Sequence, residues 1–163
     1  MRTKAMQWLA SLLVLLMSAL VAAVVWQVLS RYLLASPSVW TEELARFLLI
    51  WIGVLGSVYA YYTRSHLTVD LLSERLGEAG RQRLEALQSA FVAIFALTAM
   101  VIGGVRLVWI TWLLDQTSPA LGVPMAMVYA VVPLSGGLLL WLAAHNVLVW
   151  HRSGRALSEV ADG

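Results

Sequence analysis

MQWLASLLVLLMSALVAAVVWQVL, residues 6–29, is the stretch whose reading decides the fold. It lies inside an uncharged run from Ala5 to Ser30 that is 26 residues long. At about 1.5 Å of rise per residue, a helix of this length crosses the roughly 30 Å hydrocarbon core of a bilayer. A secretory signal has an apolar core of only about 7–15 residues. The run therefore reads as an uncleaved membrane span, with processing near the small residues Ser18 to Ala23 as the alternative. Arg31 and Tyr32 follow it as an interfacial stop.

Three more spans follow from the same argument. The second is expected over 44–62, with Arg46 near its start and then 16 uncharged residues. The third is expected over 84–114, and the fourth over 125–149. Ser36 before Pro37 predicts a helix start, because proline at the first helical position loses no hydrogen bond. Gly103 and Gly104 weaken span three, and Pro133, Gly136 and Gly137 interrupt span four, as membrane helices tolerate when neighbours satisfy the backbone. Between spans two and three, Leu72 and Leu76 have helical spacing among charged residues. They predict a short amphipathic helix, Val69 to Leu76, lying on the membrane surface. The expected fold is an all-α integral membrane protein: four transmembrane helices plus that surface helix over residues 1–150, then a polar cytoplasmic tail at 151–163.

Composition agrees and excludes much. Apolar residues make up 61% of the chain and charged ones 12%, against about 25% charged in a soluble domain. A net charge of +2 is no footprint for nucleic acid. Without cysteine there is no disulfide and no thiolate chemistry. There is no phosphate-binding loop, no HExxH, no GxSxG and no pair of carboxylates within a span. No enzyme, catalytic residue, cofactor or metal site is expected.

Lysine and arginine set the expected orientation. Arg2, Lys4, Arg64, Arg75, Arg81, Arg83, Arg152 and Arg155 all fall on one side, and the loop from Asp115 to Pro124 has no basic residue. Both termini and the 63–85 segment are thus expected in the cytoplasm. Trp26, Tyr32, Trp40, Trp109 and Trp112 then form an outer aromatic belt, and Trp8, Tyr61, Tyr62 and Trp150 an inner one.

Charged groups near membrane depth are the candidates for function. Glu42 and Arg46 are four apart and Glu43 and Arg46 three apart, so both pairs share neighbouring helix surface. The group is either a self-neutralised helix end at headgroup level or a docking point for another protein; ion coupling, a third alternative, is disfavoured because the site is too near the surface. Arg106, near the end of span three, either snorkels to headgroups or reaches Glu42 or Glu43 at the same depth. His66 and His145 lie towards the cytoplasmic side. A haem bridging them is disfavoured, because one sits in a wet loop and the other at a helix end. The glycines and serines at 53, 56, 57, 103, 104 and 135–137 allow close helix approach, within this bundle or against a partner.

The segment RYLLASPSVWTEELARFLLIWIGVLGSVYAYYTRSHLTVDLL, residues 31–72, resembles the signature region of the small, DctQ-like membrane subunit of TRAP (tripartite ATP-independent periplasmic) transporters. The resemblance is carried by Arg31, Trp40, Glu42, Glu43, Arg46, Trp51, His66 and Asp70. Further on, Thr117, Ser118, Pro119, Ala120, Leu121, Pro124, Tyr129 and Pro133 stand in family-like order. It covers about residues 6–150, and Arg106 has no place in the pattern. The resemblance implies a non-catalytic subunit in the bacterial inner membrane. Its partners would be a large multi-span subunit carrying substrate and sodium, and a periplasmic protein delivering an organic acid such as a dicarboxylate, a keto acid or a sialic acid. It makes Arg31, Trp40, Glu42, Glu43, Arg46 and Pro119 candidates for partner contacts, and Arg106 is a further candidate as a charged residue within a span. The alternatives are a haem- or quinone-associated anchor of a respiratory complex, which needs paired histidines within spans, and a stand-alone small transporter.

Overall fold

The computed structural model describes residues 4–33, 38–64 and 78–144. Four of its helices are long and apolar enough to cross a membrane: Lys4–Leu33, Val39–Thr63, Leu87–Leu113 and Met125–Ala144. We label them by their full elements. Helix α1 is Lys4–Leu33 and α2 is Val39–Arg64. Span three is α3, Glu78–Phe95, continued without a break by a π-helical segment, Ala96–Gly103, and by α4, Gly104–Leu113. Span four is α5, Met125–Ala144. Among the described residues there is no strand, only an isolated antiparallel bridge between Thr117 and Pro124. The expected surface helix at Val69 to Leu76, His66, Asp70, residues 145–149 and the tail at 151–163 lie outside the described residues.

Helix α2 starts earlier than its apolar pattern indicates, which brings Thr41, Glu42 and Glu43 into its first turns. The described helix begins at Val39, and residue 38 is not helical; Ser36 and Pro37, where a helix start is expected, lie outside the described residues. A hydroxyl chain stands at this end of α2. The Ser38 hydroxyl lies 3.2 Å from that of Ser30 and 2.7 Å from that of Thr41, and Thr41 Oγ1 donates to the Ser38 carbonyl at 2.8 Å. Ser30 in turn donates to the Gln27 carbonyl at 2.9 Å. Ser30 and Thr41 are buried, so these bonds replace the water their hydroxyls lose and tie the end of α1 to the start of α2.

Helix α1 is apolar around its whole circumference, the pattern of a helix bathed in lipid or enclosed by other helices. Its buried residues are Met6, Ala23 and Ser30 alone. The common core lies where Met6 of α1, Val58 of α2, Ala96 and Met100 of the π segment, and Leu139 and Leu142 of α5 meet. Lipid is as apolar as these side chains, so association depends on fit. Two glycines supply the fit between spans three and four. A Cβ added at Gly104 would stand 2.9 Å from Pro133 Cδ and 3.1 Å from Val132 Cγ1; one at Gly136 would stand 2.7 Å from Met100 Cβ and 3.2 Å from the Met100 carbonyl carbon. Each span thus offers a bare backbone to a bulky residue of the other. By contrast, a Cβ at Gly53, Gly56 or Gly137 meets nothing within 4 Å.

Span four is interrupted in its hydrogen bonding. The helical pattern lapses at Ala130, whose backbone stays in the helical region at φ −58° and ψ −24°, because the Pro133 ring removes the N–H that the Tyr129 carbonyl requires and crowds the preceding turn. The next bond, Leu134 N–H to the Ala130 carbonyl, is stretched to 3.4 Å. Span two supports this turn from the side: the Trp51 indole N–H donates to the Val128 carbonyl at 3.1 Å. Trp51→Phe keeps the ring and deletes the donor. We expect it to cost about 0.5–1.5 kcal/mol, read as a lower unfolding temperature in detergent, with Trp8→Phe on the exposed side of α1 unchanged.

Candidate functional site

The candidate residues converge at the end of the bundle where span three turns into span four. Helix α4 ends in a Schellman motif: Asp115 N–H bonds the Trp112 carbonyl and Gln116 N–H the Thr111 carbonyl, both at 3.1 Å. Asp115 takes the left-handed position, φ 46°, where glycine usually stands and aspartate is among the few substitutes. Asp115→Val, a β-branched residue there, should cost about 1–2 kcal/mol, and Asp115→Gly should leave the unfolding temperature equal or higher.

The chain then folds back on itself. Ser118 N–H bonds the Val123 carbonyl at 2.9 Å, Gly122 N–H the Ser118 carbonyl at 2.9 Å, and Met125 N–H the Gln116 carbonyl at 2.8 Å. Gly122, at φ 66°, supplies the second left-handed turn. The loop is thereby closed by its own backbone, with Pro119 and Ala120 exposed at its tip.

Glu43 of α2 reaches into this turn. One of its carboxylate oxygens accepts the Ser118 hydroxyl, the Ala120 N–H at 3.1 Å and the Leu121 N–H at 3.3 Å. Leu121 N–H also points at the Ser118 hydroxyl oxygen, 3.3 Å away. Successive backbone N–H groups in a turn form a small concave donor site suited to an anion, and charge-assisted bonds are stronger than neutral ones. The carboxylate therefore fastens the loop between spans three and four to the start of span two.

The neighbouring acid does something else. Glu42 is exposed and pairs with exposed Arg46, a surface pair of small energetic weight. Consecutive residues on a helix point about 100° apart, so the trio Glu42, Glu43 and Arg46 divides into a solvent-facing pair and a loop-holding carboxylate. Arg31 and Pro119 are exposed and Trp40 is half-exposed. Arg106 is also exposed, and the ion pair found among the described residues is Glu42–Arg46. The expected contact of Arg106 with Glu42 or Glu43 is therefore not made. Shared depth along the membrane normal does not give shared direction around the bundle. No trio of metal-ligating side chains occurs among the described residues, and His66 and His145 lie outside them.

Sequence reasoning named Glu43 but missed its three donors, as well as Ser30, Ser38 and Thr41. Ser118 stood in the quoted motif TSPAL without a role. Its burial, with 2% of its surface exposed, is what marks it, and only the fold shows that.

Comparison with known proteins covers the whole corner. The family model described as tripartite ATP-independent periplasmic transporters, DctQ component, matches residues 20–152. The chain is 35% identical over 89 residues to the sialic acid TRAP transporter small permease protein SiaQ of Vibrio cholerae, covering 55% of this chain and 51% of that one. It is 34% identical over 132 residues to the isethionate TRAP transporter permease protein DctMQ of Oleidesulfovibrio alaskensis, covering 76% of this chain and 20% of that one. To the C4-dicarboxylate TRAP transporter small permease protein DctQ of Rhodobacter capsulatus it is 30% identical over 101 residues, covering 62% and 44%. The matches thus span about half or less of the length of these relatives.

Proposed function

The chain belongs to the DctQ-component family of the tripartite ATP-independent periplasmic transporters, and from that premise we propose that it is a non-catalytic scaffold for a large permease subunit in sodium-coupled uptake of an organic acid. The observation that carries the proposal is where charge stands in a chain of this family. Lys4, Arg31, Glu42, Glu43, Arg46 and Asp115 all lie at or near helix ends, and Arg106 lies towards the end of span three. The packed centre, around Val58, Ala96, Met100 and Leu139, is apolar apart from Ser135, which is fully buried and spends its hydroxyl on the Val131 and Val132 carbonyls of its own helix. A transport pathway needs polar groups at membrane depth to replace the water a solute sheds, and one hydroxyl already bonded within its helix is a poor substitute for the shell of a carboxylate or a sodium ion.

A bundle of this kind does mechanical work: it occupies a fixed place in the bilayer and extends the stationary part of its neighbour. In the isethionate permease, the segment like this chain is one fifth of a longer polypeptide, which supports a larger membrane protein as the neighbour. With the termini in the cytoplasm, as the arginine distribution favours, the loop from Asp115 to Pro124 faces the periplasm. Held in one shape by Glu43, that loop is a preformed surface for a substrate-binding protein, since a rigid surface loses less entropy on docking. The relatives' names point to sialic acid, isethionate or a C4-dicarboxylate as the class of acid.

Co-expression tests the reading. Tagged wild-type chain, extracted in mild detergent, is expected to carry the large membrane subunit with it in a fixed ratio. Recovery of this chain alone, with the large subunit folded and present in the same membranes, contradicts it.

A further inference from the structure

Arg106 is exposed within span three and takes no part in the Glu42–Arg46 pair. It lies in α4, eight residues before the helix-ending Leu114, or about 12 Å along the axis. Arg106, Trp109 and Leu113 follow the i, i+3, i+7 spacing of one stripe of α4, and Ile102 lies one turn before Arg106 at the end of the π segment. Ile102 is 60% exposed, Trp109 67% and Leu113 71%. A guanidinium therefore projects from an open apolar surface on the outside of the bundle, and the ion pair found among the described residues does not include it.

Two physical facts make this position informative. Charged side chains within spans almost always face a bundle interior or pair with an opposite charge. The exception is a long side chain near a helix end that snorkels to the headgroups, and here the direction is wrong. Each Cα–Cβ bond in a helix leans towards the helix N-terminus. From Arg106 that is away from the nearer membrane surface, marked by Trp109 and Trp112, and towards the bilayer centre. The argument holds whichever way the chain is inserted. To reach the nearer headgroups the Arg106 side chain must double back against its own Cα–Cβ bond, whereas a carboxylate on a neighbouring membrane helix can meet it without that turn, so the stripe fits the interior of a larger assembly.

Resting on the function proposed above, we infer that the Ile102–Arg106–Trp109–Leu113 face of span three packs against the large membrane subunit, where a carboxylate on one of that subunit's membrane helices pairs with Arg106. Truncating one partner of a desolvated charge pair strands the other. Removing either side should therefore weaken the complex far more than it affects this chain alone.

The test is co-purification of the large subunit with Arg106→Ala, Arg106→Glu and Arg106→Lys variants. The large subunit recovered per copy of this chain is expected to fall on the order of tenfold or more for Arg106→Ala and Arg106→Glu. Arg106→Lys should retain most of it. The unfolding temperature of the isolated chain should not change in any variant. Arg106→Glu should be rescued by replacing one acidic residue in a membrane helix of the large subunit with arginine. Full recovery with Arg106→Ala and Arg106→Glu overturns the inference while leaving the scaffold role standing, whereas failure of the wild-type chain to bring down any large subunit removes that role first. Phosphatidylglycerol retained by the wild-type complex and lost from Arg106→Ala in native mass spectrometry, with the large subunit still bound, also overturns it, because the counter-charge is then a lipid phosphate.

Discussion

Gly136→Leu is expected to drive spans three and four apart and to leave little folded protein in the membrane. The first atom added at residue 136 already falls 2.7 Å from Met100 Cβ, 3.0 Å from Val101 Cγ2 and 3.2 Å from the Met100 carbonyl carbon. Two of those three atoms are backbone or sit directly on it, so they cannot rotate away as the end of a long side chain can. Overpacking by a few methylenes costs about 1–3 kcal/mol in a close-packed interior, and leucine adds more than that here. Gly104→Ala meets the same difficulty in reverse, against Pro133, whose ring is tied to its own backbone and cannot rotate away. The contrast that makes the prediction specific is Gly137→Ala, one residue away and open, and Gly53→Ala in span two, also open. Both should be neutral or stabilising by about 0.5–1 kcal/mol, because alanine has less chain entropy to lose in a helix than glycine. Unfolding temperatures in detergent, followed by tryptophan fluorescence, separate the two classes.

The second large effect is local. Glu43→Ala should release the loop between spans three and four without unfolding the bundle. The substitution withdraws one oxygen from three donors: the buried Ser118 hydroxyl and the backbone N–H groups of Ala120 and Leu121. Buried donors left without an acceptor are costlier than bonds never formed. The loop's own closure, from Thr117 to Pro124, remains. The expected result is faster hydrogen exchange at the Ala120 and Leu121 amides, by on the order of tenfold or more, with exchange in α1 unchanged. Glu43→Gln should fall between, since its amide oxygen accepts but carries no charge. Glu42→Ala, which removes only a surface pair, should leave loop exchange as it was. Equal effects of Glu42→Ala and Glu43→Ala would contradict the division of labour between the two acids.

What the sequence discloses and what it withholds follow from the reach of each signal. The 26-residue uncharged run at Ala5–Ser30 announces a span because length and hydropathy are local properties. The same is true of the turn chemistry at Gly122 and Pro124. Glu43 was recognisable as unusual from its spacing to Arg46. Its partner Ser118, however, lies 75 residues away, and no local pattern says which of two adjacent acids will face it. The start of α2 at Val39 stands beside a hydroxyl chain that runs from Ser38 back to Ser30 of the preceding span, eight residues away, and no local pattern announces that contact. Gly103 and Gly104 look alike in sequence. In the structure Gly104 meets Pro133, while Gly103 has only an ordinary contact with its own helix at the Thr98 carbonyl. The π segment, with wider turns than an α-helix, decides which of them faces span four, and nothing in the composition of ALTAMVIG foretells it. For Arg106 the sequence leaves two alternatives, headgroups or an acid of span two, because hydropathy is silent about direction around the bundle; the ion pair found among the described residues excludes it from the second.

The claim on which the account depends is that this chain moves no solute by itself. Its most direct test is uptake into proteoliposomes under an inward sodium gradient. Sialic acid, isethionate and a C4-dicarboxylate serve as probes, each offered with and without the large subunit and the binding protein. The account predicts background uptake of all three acids with this chain alone, and uptake of one of them only when all three components are present. Gradient-driven accumulation of any of these acids by the isolated chain would contradict it.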